Sequence, residues 1–136
     1  MSHSITGLAR ALALTVAALA AVPALAGTAA AAPAELYAPY ARAAAQVDRT
    51  GTLTAAKNVS SARKVGAAAY CIVVSDPDIT LKDAVVMGTV NDGSGTYSID
   101  VRNYPTSTCG NATDTITAYT AYGTAANPVE FTLAVL

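Results

Sequence analysis

Tryptophan is absent from this chain, histidine and phenylalanine occur once each, and cysteine occurs twice. Each scarcity removes a class of chemistry. The one histidine, His3, lies in a segment that reads as a cleavable leader, so the exported chain holds none. Ser-His-Asp and Cys-His arrangements then have no base, and a zinc site has two thiols and no imidazole. Charge is sparse as well, at 12% of residues with a formal net charge of −1. That near-neutral balance leaves no electrostatic footprint for nucleic acid or anionic lipid.

The N-terminus is the most hydrophobic stretch. "MSHSITGLAR" is a short polar region with one firm positive charge, Arg10, followed by the apolar run "ALALTVAALAAVPALA". The run is short for a membrane span and is interrupted by Pro23. Small residues then offer cleavage after Ala26 or after Ala32. Residues 1–32 are therefore expected to be a signal peptide. At "LAGT", Thr28 stands where a lipobox would need cysteine, and there is no twin arginine. The final "EFTLAVL" carries no sorting motif or basic tail. The expected product is a secreted, extracellular chain of roughly 105 residues, a length suited to one domain.

Both cysteines, Cys71 and Cys109, lie beyond the leader. Two thiols in an exported chain most simply form one disulfide. A CxxC redox pair is excluded by their spacing, and no histidine is left to make a thiolate nucleophile. The bridge closes a loop of about 40 residues, which in the chain-entropy account contributes roughly 4 kcal/mol.

Residues 33–46, "PAELYAPYARAAAQ", read as a flexible or loosely docked Ala/Pro arm, with at most a turn or two of marginal helix in "YARAAAQ". From Val47 to Leu136 the texture is short β-type runs between turn residues. "QVDRTGTLTAA" turns at Arg49-Thr50-Gly51. "AAYCIVVS" is apolar on both faces, as a covered central strand must be. "DAVVMGTV" and "GTYSIDVR" flank "NDGSG", a hairpin signal. In the second of these, Tyr97, Ile99 and Val101 alternate with Ser98, Asp100 and Arg102, giving one inward and one wet face. "TITAYTAYG" and "VEFTLAVL" complete about seven or eight strands at spacings of roughly 8–12 residues. The expectation is an all-β fold: a single antiparallel β-sandwich over residues 47–136, immunoglobulin-like in architecture. The terminal strand is expected to be exposed and able to pair between chains.

The candidate contact residues lie on loops, where function concentrates. They are Asp76, Asp78 and Asp83 after the central strand, Asn91 and Asp92 in "NDGSG", and Tyr104 and Asn111 in "YPTSTCGNATD". The plain role of Asp76 and Asp78 is to solvate a turn; calcium is the functional alternative, although their spacing matches no calcium-loop pattern. "NDGSG" opens no helix and so makes no phosphate cradle. Asn58-Val59-Ser60 and Asn111-Ala112-Thr113 fit the N-glycosylation pattern, which acts only in a host with that machinery.

The Ala-rich leader resembles those of exported proteins from high-GC actinobacteria such as streptomycetes. The run "AAQVDRTGTLTAAKNVSSARKVGAAAYCIVV", with the late "VEFTLAVL", resembles small secreted β-sandwich proteins of those bacteria that have no assigned activity. Ala68 departs from that pattern, where glycine is expected two residues before the tyrosine. The resemblance implies architecture and export, with a binding or structural role at the cell exterior. "LYAP", Leu36 to Pro39, is similar to the mature start of the secreted subtilisin-inhibitor family. That family needs two disulfides and a cysteine-flanked reactive loop, and Cys71 and Cys109 alone build neither. Expected, then, is a non-catalytic protein without metal or cofactor, whose partner is an extracellular protein or polysaccharide. A protease inhibitor presenting the loop around Cys109 is the alternative.

Overall fold

A computed structural model of the chain describes residues 31–92 and 95–136. Residues 1–30 of the expected leader, which include the Ala26 cleavage point but not the one at Ala32, and Gly93 and Ser94 of "NDGSG" lie outside the described residues. Among the described residues no helix is long and apolar enough to cross a membrane.

The chain forms two packed sheets. In order the strands are β1 (Ala34–Glu35), β2 (Ala43–Val47), β3 (Leu53–Lys57), β4 (Val59–Val65), β5 (Ala69–Val74), β6 (Val86–Val90), β7 (Tyr97–Arg102), β8 (Thr115–Tyr122), β9 (Ala125–Ala126) and β10 (Phe131–Val135). Single 3-10 turns occupy Leu81–Asp83 and Ser107–Cys109. One sheet runs β1-β3-β2-β10-β6, the other β4-β5-β8-β7 with β9 folded back on β8. All pairings are antiparallel except the short β1–β3 contact. The fold is a β-sandwich.

Alternation builds the interior. Tyr70, Ile72 and Val74 of β5 and Ile116 and Ala118 of β8 face Phe131, Leu133 and Val135 of β10 and Ala43, Ala45 and Val47 of β2. Tyr70 and Phe131 meet edge to face, with centroids 5.0 Å apart. The Tyr70 hydroxyl donates to the Arg49 carbonyl at 3.2 Å, which satisfies its polar tip, and burial pushes its pKa above the ordinary phenol value.

The structure departs from the sequence reading in three places. First, the sandwich begins at Ala43 rather than Val47. Alanine and glutamine favour helix in isolation, but β2 is paired on both sides, to β3 and to β10, and tertiary pairing overrides that preference. Arg42 already donates its N–H to the Val135 carbonyl. What is left of the arm is held by β1 and by Lys57, whose Nζ donates to the Ala38 and Ala41 carbonyls at 2.8 and 2.7 Å. Tyr37 and Tyr40 remain exposed.

Second, "NDGSG" does not close a hairpin. β6 pairs with β10 in one sheet and β7 with β8 in the other, so the chain has changed sheets between Val90 and Tyr97. The two strands face each other through the interior at Gly88, where a Cβ would lie 2.6 Å from Val101 Cγ2. Only glycine allows that approach.

Third, the strand that ends the sequence does not end a sheet. β10 lies between β2 and β6, so it is not the free edge expected for pairing between chains.

Candidate functional site

Two loops meet at the end of the sandwich where β5 and β7 finish. The first, residues 75–84, leaves β5. Pro77 keeps it off the ladder, and Asp76 shapes it by accepting the Asp78 N–H on Oδ1 at 2.9 Å. Its root is tied down by the Ser75 N–H, which donates to the Asn58 carbonyl, and by Leu81, buried against the core. The second, residues 103–114, joins β7 to β8. It is tied to β5 by the Cys71–Cys109 bond and to β8 by Thr106 and Thr108.

The disulfide fixes that second loop. Cys71 on β5 is bonded to Cys109, with Cα atoms 5.7 Å apart, and both are buried. Threonines add a polar seam: Thr106 Oγ1 meets Thr117 Oγ1 at 2.6 Å, and Thr108 Oγ1 meets the Tyr119 hydroxyl at 2.8 Å. Gly110 and Asn111, at φ +73° and +58°, reverse the chain after the 3-10 turn, and the Asn111 N–H returns to the Thr106 carbonyl. Asparagine tolerates that left-handed conformation better than most residues. Arg102 stacks on the Tyr119 ring at 4.8 Å while its guanidinium contacts Asp100 at 3.0 Å.

One side chain joins the two loops. Asn103 Nδ2 donates to the carbonyls of Leu81 and Ala84, at 3.0 and 2.9 Å. Between the loops lies a cleft of about 640 Å³. Val73, Ile79, Leu81 and Pro105 give it an apolar floor, and Ser60, Asp76, Lys82 and Asp114 a polar rim. Pockets of a few hundred Å³ with that mixture are typical of small-ligand and peptide sites.

The predicted contact residues divide. Asp76 lines the cleft and faces Arg42 at 3.7 Å. Asp78 and Asp83 line a separate, smaller recess of about 250 Å³ beside Arg42 and Leu136, and Asp83 pairs with Lys82 at 3.1 Å. Tyr104 and Asn111 lie on the second loop, with Tyr104 half exposed. Asn91 belongs to neither, since it follows the far end of β6. Its Nδ2 donates to Glu130 Oε1 and Thr132 Oγ1, at 3.1 and 3.0 Å, fastening β6 to β10. Asp92 comes next, also away from the cleft. The Asp76–Asp78 pair is thus used in a turn and an ion pair. Among the described residues no group of three His, Cys, Asp or Glu side chains could hold a metal ion.

Sequence reasoning missed Asn103 and the apolar floor. Val73 was marked by its outward position on a strand apolar on both faces; Asn103 carried no local signal, because both its acceptors are about twenty residues earlier in the chain. Comparison with known protein families, with curated proteins and with solved structures finds no match to this chain.

Proposed function

We propose that this is a secreted, non-catalytic binding protein of the cell exterior, which takes a segment of an extracellular protein or polysaccharide in the cleft between residues 75–82 and 103–114. The observation that carries this reading is the cleft's construction. Its apolar floor sits between two loops, one clamped by the Asn103 amide and the other by the Cys71–Cys109 bridge. A site whose walls are already fixed loses little entropy on binding. The disulfide suits an oxidising compartment, in keeping with the leader read from the sequence.

The test is NMR titration of the isotopically labelled protein with envelope polysaccharide and peptide fractions. Resonances of Ser60, Val73, Ile79 and Asn103 are expected to shift together, and Asn103→Ala to weaken the response several-fold. Shifts confined to other surfaces would discard the cleft.

The inhibitor alternative draws no support from the loop around Cys109. A substrate-like inhibitory segment has to extend into a protease cleft, whereas Ser107–Cys109 is wound into a 3-10 turn with Cys109 buried against the sheet. Incubation with subtilisin and with trypsin at micromolar protein is expected to leave both proteases active.

A further inference from the structure

We propose that β6 is an interface between two copies of this chain, which pair antiparallel about a two-fold axis at Gly88. β6 is the outer strand of its sheet, bonded on one side to β10. The ladder is flanked by Leu136 N–H to the Val85 carbonyl and Asn91 N–H to the Glu130 carbonyl. In an antiparallel ladder the bonded residues alternate, so Val85, Met87, Thr89 and Asn91 face β10. The N–H and C=O groups of Val86, Gly88 and Val90 therefore point off the sheet. Of these, the Val90 carbonyl alone receives a contact from the described residues, a 3.5 Å one from the Thr89 hydroxyl.

Proteins protect such edges with charge, proline, bulges or shortness. The other outer strands among the described residues carry these protections, β9 by being only two residues long. β4 has Arg63, Lys64 and a register shift between Val59 and Ser61; β7 has Asp100 and Arg102; β1 is two residues long. β6, "VMGTV", has no charge, no proline and an unbroken register. Beside it the outer face of the sheet leaves Val85, Met87 and Leu136 exposed at 61%, 59% and 52%.

A second copy fits this edge through symmetry. With Gly88 opposite Gly88, Val86 of each copy falls opposite Val90 of the other. Every outward N–H and C=O of Val86, Gly88 and Val90 then finds a partner in one closed register, which a two-fold interface requires. Met87 of each copy falls opposite Thr89 of the other, covering the exposed thioether. No charge on the strand opposes a like charge across the axis, and the chain's net charge of −1 adds little repulsion. Two five-stranded sheets would join into one.

Sedimentation equilibrium of the purified protein tests this directly. A dimer is expected at concentrations up to about 100 µM, the range in which strand-edge contacts of modest area associate. The double variant Met87→Lys/Thr89→Lys sets like charges directly opposite across the axis and leaves β6's own contacts with β10 in place. Its dissociation constant is expected to rise at least about tenfold, with an unchanged circular dichroism spectrum. The variant Met87→Cys/Thr89→Cys places thiols opposite each other at a non-hydrogen-bonded pair, and mild oxidation is expected to give a covalent dimer. A monomer throughout the concentration range overturns the proposal. So does a dimer that the lysine pair leaves intact and the cysteine pair fails to trap.

Discussion

Asp48 follows β2 at the point where the chain reverses into β3, and its carboxylate organises the turn. Oδ1 accepts the N–H groups of Thr50 and Thr52 at 2.8 and 2.9 Å and the Thr50 hydroxyl at 2.6 Å. Burial alone would raise its pKa. The hydrogen bonds from Thr50, Thr52 and Gly51 outweigh that and hold it below the ordinary carboxylate value. A depressed folded-state pKa contributes stability that is full above the unfolded value and is lost as pH falls through the folded one. Asp48→Ala is therefore expected to cost about 1 kcal/mol at neutral pH, a figure reduced for the turn's exposure to solvent. The difference from the parent should shrink on acidification below the ordinary carboxylate range, measured by urea unfolding at several pH values. A constant difference would assign the effect to packing alone. The same turn constrains Gly51, at φ +92°, where a Cβ would run into the backbone nitrogen of Lys64. Gly51→Ala collides with backbone as well as adopting a strained φ, so a loss of about 2 kcal/mol or more is expected by the same measurement.

Between the elements, the strongest single tie is the one from β5 to the loop before β8. Its ends are separated by 38 positions, and replacing both cysteines by alanine is expected to cost about 4 kcal/mol. For a domain of this size that lowers the melting temperature by roughly 15–30 °C. The loop carrying Ser107–Cys109 should also gain amide hydrogen exchange, while β5 and β8 keep their protection. β5 and its staple were legible in the sequence because both depend on local facts: apolar residues on two faces, and two cysteines with no other partner. The alternation of β7 was legible for the same reason. β2 was not, because "AAAQV" has the composition of a helix and becomes a strand only between β3 and β10. Nor was the path of "NDGSG", whose turn residues specify a reversal but not whether the next strand pairs or crosses to the facing sheet. The two walls of the cleft were both picked out as loops, yet their meeting depends on Asn103 and on topology. Asn91 was assigned to a contact surface by its loop position, and its hydrogen bonds give it a fastening role.

Taken whole, the sandwich is closed by pairing its second strand with its last. β2 and β10 are central neighbours in one sheet, with the Gln46 side chain donating to Glu130 across 84 positions of sequence. Truncation should separate the arm from the sandwich sharply. Removal of residues up to Tyr37 is expected to leave a folded domain, since among the described residues it deletes the two-residue β1, the half-buried Leu36 with its bond to the Ala56 carbonyl, and an exposed tyrosine. Removal up to Gln46 strips most of a largely buried strand and should abolish the cooperative thermal transition.

The place of β10 also bears on when the domain can fold. A chain made from its N-terminus has β2 and β6 early, but the strand that joins them is Phe131–Val135, the last strand of the sandwich. Until those residues emerge, β6 has no ladder partner and one face of the interior lacks Phe131 and Leu133. Synthesis alone thus keeps the sandwich open until Phe131–Val135 has been made, so the domain closes only after all its other strands are in place to receive that one.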